Sequence, residues 1–136
     1  MVTFSTRDDA ATAYKALFGG PIMRFRDTAQ RVLVCRTLFD LMGLGEVLWC
    51  PEGPTENLEA WLRNYGGGLS TSQTALYEAA LGIWNGSGKM PFTEILRCFE
   101  DEHLKAFGSL LIALATGPEK VDQWITVWSK PVYAVV

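Results

Sequence analysis

Apolar residues recur every three or four positions along most of this chain, and glycine and proline divide the pattern into short segments that predict helices. "MVTFS" opens as a short extended candidate. Ser5 or Thr6 is then placed to cap a helix carrying Asp8 and Asp9 in its first turn and running to Phe18, where "GGP" ends it. Asp27 is the expected cap of the next helix. Val32, Cys35, Phe39 and Met42 fall on one stripe there, Leu38 and Leu41 widen it, and Gly43 and Gly45 close it. "EVLWC", short and apolar between Gly45 and Pro51, predicts a strand. After the "PEGP" loop, Thr55 is the expected cap of a helix through Leu58, Trp61, Leu62 and Tyr65, which "GGG" at 66–68 terminates.

Ser70 and Gln73 have capping-box spacing and open a helix through Leu76, Ala80, Ile83 and Trp84 that stops at Asn85-Gly86. "PFTEILRCF" predicts a short helix, and Glu100 or Asp101 starts a longer one. The "LLIALA" run at 110–115 is apolar almost all round, the pattern of a central, buried helix. Gly117 ends it, Pro118 opens the next at a favourable first position, and Val121, Trp124, Ile125 and Trp128 form its stripe before Pro131. The tail "VYAVV" is a strand candidate for pairing with "MVTFS" or "EVLWC". The expected fold is mainly α: one domain over 1–136, a compact bundle of six or seven short helices, with a small β-sheet from the terminal segments and residues 46–50.

Length agrees with one core, since a chain of 136 residues buries roughly two-thirds of its unfolded surface. A hydrophobic fraction of 49% with five Trp and seven Phe excludes a disordered chain, and so many aromatic residues favour a contact surface as well as a core. The net charge of −3 provides no positive field for nucleic acid or anionic lipid. Arg7, Asp8 and Asp9 interrupt what a signal peptide needs as an apolar core, and no apolar run is long enough to span a bilayer, so a cytoplasmic location without membrane attachment is expected. Cys35, Cys50 and Cys98 are widely spaced and odd in number, which fits reduced thiols.

"WNGSGK" at 84–89 resembles the end of a phosphate-cradling loop. That loop requires a first glycine where Ile83 stands, a hydroxyl where Met90 stands and a preceding strand where a helix is predicted. Read as a dinucleotide fingerprint, Gly86-x-Gly88 meets Pro91 at the third glycine. The stretch is therefore expected to be a helix cap and turn. His103 is the single histidine, and the three cysteines lack the close pairs of a structural zinc site, so neither a metal nor a cofactor is expected. In "EDEH", His103 is expected at the surface beside Glu100, Asp101 and Glu102, acidic residues that favour a helix N-terminus and are candidate interaction residues. Arg24, Arg26, Arg31 and Arg36 make a basic cluster able to grip phosphate or a partner's carboxylates, with a solvated helix face paired to Asp27 and Asp40 as the plainer reading. Trp61, Trp84, Trp124 and Trp128 lie on apolar stripes; Trp61, Trp124 and Trp128 are the candidate interface anchors.

From Ser72 onward the chain resembles uncharacterised small helical proteins carried on proteobacterial plasmids and integrative elements. The shared features are a helix ending in Trp84-Asn85, a glycine turn, Phe92-x-x-Ile95-Leu96, an acidic cap, a long apolar helix and a Trp-bearing helix before Pro131. The resemblance implies a mobile-element origin and assigns no activity. Together these features give the expectation of a non-enzymatic protein–protein interaction module, an accessory that binds or inhibits a host defence protein, with a homodimer as a further option. The alternatives are a small enzyme or ligand-binding protein with a site near His103, and a nucleic-acid binder using Arg24 to Arg36.

Overall fold

Asp27 caps the first described helix as its position predicts: its carboxylate accepts the Gln30 N–H at 2.8 Å. The computed structural model describes residues 24–129. The predicted extended segment and helix before Gly19, and the "VYAVV" strand, lie outside the described residues. Within them the order is α1 (Thr28–Asp40), α2 (Gly45–Leu48), β1 (Trp49–Cys50), β2 (Gly53–Pro54), α3 (Leu58–Tyr65), a 3₁₀ turn (Gly66–Gly68), α4 (Thr71–Asn85), α5 (Phe92–Cys98), α6 (Asp101–Thr116) and α7 (Pro118–Trp128). The protein is mainly α, with a two-stranded antiparallel sheet.

Helix α1 lies at the centre, packed against α2, α4 and α7. Val32, Val34, Cys35, Leu38 and Phe39 are at most 1% exposed, so α1 is covered on most of its circumference. Gly45 allows α2 to fold back on α1, because a Cβ there would overlap the Asp40 side chain and the Arg36 carbonyl. Ser70 and Gln73 form the predicted capping box at α4, and Pro118 occupies the first turn of α7 behind Gly117.

Three expectations are corrected. Residues 46–50 are not one strand: Gly45–Leu48 is a helical turn, and Trp49–Cys50 pairs with Gly53–Pro54 across Pro51-Glu52. Leu48 and Trp49 are both buried while Val47 is exposed, so the alternation that would sustain a longer strand is absent. Trp49 instead anchors the hairpin, 5.4 Å from Phe39 and edge-on to Trp84 at 5.7 Å. Second, Thr55 is not the α3 cap. Its N–H donates to the Leu48 carbonyl and its own carbonyl accepts from Leu58, so the hairpin holds it and the helix begins three residues later behind Asn57.

Third, α6 is not central. Leu110 and Ala113 are buried, but Leu111 is 44% and Ile112 70% exposed. The core side of α6 packs on α7, and α1 already occupies the centre. The outer side of "LLIALA" has no cover among the described residues.

"WNGSGK" is a cap and turn. Gly86 ends α4 in the left-handed conformation, and the chain then wraps an internal anion: Lys89 and Met90 N–H both donate to Glu78 Oε2. The backbone cradle that suggested phosphate is filled by a carboxylate from α4. Gly88 lets the loop lie on that helix, because a Cβ there would overlap the Glu78 carbonyl oxygen. Gly88→Ala is expected to destabilise the fold by about 1–3 kcal/mol, read as a lower urea midpoint at unchanged slope.

Candidate interaction surface

His103, expected at the surface, is only 6% exposed. Its Nδ1 lies 2.6 Å from Ser72 Oγ, its Nε2 lies 3.3 Å from Glu100 Oε1, and the Glu100 N–H donates to Ser72 Oγ at 2.8 Å. One assignment satisfies all three contacts: the Ser72 hydroxyl donates to Nδ1, and Nε2–H faces the Glu100 carboxylate. The burial comes from tertiary packing, since α4 delivers Ser72 to the first turn of α6 and Phe99 sets its ring edge-on to the imidazole. Serine, histidine and glutamate here resemble a hydrolytic triad in composition. Ser72 is itself buried and accepts the Glu100 N–H, so the group clamps the starts of α4 and α6 together.

The other candidate chemistry is similarly absorbed by structure. Cys35 donates to the Ala80 carbonyl at 3.5 Å, and burial pushes its thiol up to about 12, far from thiolate reactivity; Cys50 is exposed. Among the described residues, no group of three or more His, Cys, Asp or Glu side chains converges as metal ligands.

The four arginines do not form one patch. Arg24 is exposed. Arg26 leaves the cluster to grip Asp122 on α7 with two hydrogen bonds, at 2.8 and 3.2 Å, and also lies 3.7 Å from Asp27. Gln30 completes this junction by donating to Asp122 and to the Pro118 carbonyl while accepting the Arg26 N–H. Hydrogen bonds from Arg26 and then Gln30 hold the Asp122 carboxyl below its ordinary range. Arg31 stacks over the Trp84 ring, 4.5 Å from its centroid, and Arg36 is half-buried.

The tryptophans divide. Trp124 is buried and donates Nε1–H to the Ala106 carbonyl at 2.8 Å, fixing α7 to α6. Trp61 is half-buried against exposed Tyr65, 5.5 Å between rings. Trp128 is half-buried in a groove of about 390 Å³ between α6 and α7, where Ile112, Ala113, Lys120 and Val127 also contribute. Ile112 and Val127 are 70% and 73% exposed, and Leu104 and Leu111 are also exposed on α6. Glu100, Asp101 and Glu102 are exposed at the N-terminal end of that helix.

Trp128 and the acidic turn were therefore visible as candidates, whereas Leu104, Leu111, Ile112 and Val127 were not. Their signal was present in the all-round apolarity of α6, which the sequence pattern assigns to burial.

No family model matches the chain, and no curated protein or solved structure matches it.

Ser72→Ala strands the Glu100 N–H and His103 Nδ1 in a buried site, with an expected cost of about 1–3 kcal/mol in denaturant unfolding. In thiol labelling, Cys50 is expected to react in the folded protein and Cys35 only after unfolding; labelling of Cys35 at the rate of Cys50 would contradict its placement.

Proposed function

We propose that the protein is a non-enzymatic interaction module that contacts a protein partner through the outer face of α6 and α7. One observation carries this reading: Ile112 and Val127 are exposed on a groove that Ala113 and Trp128 also line, and Leu104 and Leu111 are exposed on the same helix, α6. Single exposed apolar residues are ordinary, but a contiguous patch of them favours coverage by another surface. An aromatic residue half-buried in the groove supplies the kind of anchor that carries binding energy, and charged residues at its edges supply a polar rim.

The satisfied hydrogen bonds around Ser72 and His103 favour a structural role there, and the dispersal of the arginines weighs against a nucleic-acid surface. Among the described residues, no helix is long and apolar enough to cross a membrane. With the resemblance to proteins of plasmids and integrative elements, we read the module as a cytoplasmic mobile-element accessory, for which inhibition of a host defence protein is one concrete role.

The test is a nuclease-treated pull-down with tagged full-length chain, compared with an Ile112→Glu, Val127→Glu variant of unchanged circular dichroism. A stoichiometric protein held by the wild type and weakened at least about tenfold in the variant is expected. Equal retention by both chains, or loss of all bound material on nuclease treatment, would contradict the reading.

A further inference from the structure

Asn85-Gly86 at the end of α4 is the one place in the chain where glycine follows asparagine; Asn57 and Asn64 precede Leu58 and Tyr65. All three asparagines are exposed, so what sets Asn85 apart is the residue after it. A glycine has no side chain to shield its backbone nitrogen, which is therefore open to attack the neighbouring side-chain amide carbon. At Asn85 that side chain is already folded over the turn, because its Oδ1 accepts the Ser87 N–H at 3.0 Å. The hydrogen bond draws electron density from Cγ, the atom to be attacked.

The same turn also opposes the reaction. The Gly86 N–H donates to the Gly82 carbonyl at 3.2 Å, which ties up the attacking nitrogen. Asn85 is the last residue of α4, and closing a ring through Cγ requires a rotation about its Cα–C bond that takes it out of the helical conformation. The loop that would have to move with it is pinned. Lys89 and Met90 N–H are both held on Glu78 Oε2, and Gly88 lies so close to α4 that a Cβ there would overlap the Glu78 carbonyl oxygen.

We propose that Asn85 is a site of spontaneous covalent modification, deamidation through a cyclic imide with Gly86, and that the grip of Glu78 on Lys89 and Met90 sets its rate. Opening of the last turn frees the Gly86 nitrogen, which gives its proton to hydroxide and bonds to Asn85 Cγ. The Cγ–Nδ2 bond breaks, and Nδ2 takes a proton from water and leaves as ammonia. Water then adds to one of the two imide carbonyls and breaks its bond to nitrogen. Addition at Cγ gives aspartate in an ordinary backbone, and addition at the main-chain carbon gives isoaspartate, whose backbone runs through Cγ. Nothing is oxidised or reduced, and water and hydroxide are the only other reactants. Either product places a carboxylate at the negative end of the α4 dipole, so the altered turn closes less well than the original.

Peptide mapping by mass spectrometry of the full-length chain, kept in mildly alkaline buffer, tests the proposal. It reads conversion of the Asn85 amide to an acid, with aspartate and isoaspartate separated by chromatography. Conversion in the folded wild type is expected to be at least about tenfold slower than in the same chain unfolded in guanidinium chloride, where Asn85 outpaces Asn57 and Asn64. Glu78→Ala removes the acceptor of two N–H groups and is expected to raise the folded rate about three- to tenfold. Glu78→Gln keeps the shape with a neutral acceptor and is expected to fall between the two. Ser72→Ala loosens the opposite end of α4, and its rate at Asn85 is expected to stay within about twofold of the wild type.

A folded wild type that converts as fast as the unfolded chain overturns the proposal, as do Glu78 variants that convert at the wild-type rate. Equal acceleration by Glu78→Ala and Ser72→Ala shows that conversion awaits unfolding of the whole domain and removes the role of Glu78. Conversion at Asn57 or Asn64 ahead of Asn85 in the unfolded chain removes the site itself.

Discussion

Burial of α1 by α2, α4 and α7 is the constraint on which the other placements depend. Its side chains from Val32 to Phe39 fill the centre, Cys35 reaches the Ala80 carbonyl of α4, and the Arg26–Gln30 end is tied to Asp122 and Pro118 of α7. Once α1 occupies that position, α7 lies beside it and α6 is attached through α7 by the Trp124–Ala106 hydrogen bond. A helix whose second half is apolar almost all round is thus held at the edge of the bundle. The exposed surface on α6 follows from that arrangement.

Three polar junctions tie the elements together, two closing on backbone N–H groups that a helix start or a loop leaves open and the third on a helix carbonyl. Ser72 accepts the Glu100 N–H where α6 starts, Glu78 accepts from Lys89 and Met90 in the loop after α4, and Gln30 donates to the Pro118 carbonyl at the start of α7. Buried backbone polar groups need such partners, and a side chain arriving from a neighbouring helix also fixes the angle between the two. The residues that looked most like chemistry (Ser72, His103, Glu100 and the Gly-Ser-Gly-Lys loop) are occupied in this work. A structural function for them turns attention to the apolar face of α6 and α7, which carries the most exposed large apolar residues among the described residues, Ile112 and Val127.

The elements legible in the sequence are those decided within one or two turns of chain. Asp27, the Ser70–Gln73 box, Asn85-Gly86 and Gly117-Pro118 mark helix ends where the structure has them, because caps depend on neighbours a few residues away. Thr55 and residues 46–50 misled because a two-residue turn closed a hairpin that captured the backbone on both sides. His103 misled because its burial requires Ser72, 31 residues earlier, to arrive beside it. For the surface itself, Trp128 and the acidic turn were legible as candidates, but Ile112 and Val127 were not. Periodicity shows that α6 has two apolar sides; which of them the protein's own core covers is settled only by the position of α1.

Hydroxyl-radical footprinting of the chain, alone and bound to the protein that it captures in the pull-down, tests the central claim most directly, because Ile112 and Val127 report on whether this face is covered. The account predicts fast modification at both residues in the isolated chain and protection in the complex, while buried Leu110 and Val121 remain protected throughout. Slow modification of Ile112 and Val127 in the isolated chain, or modification unchanged in the complex, would contradict it.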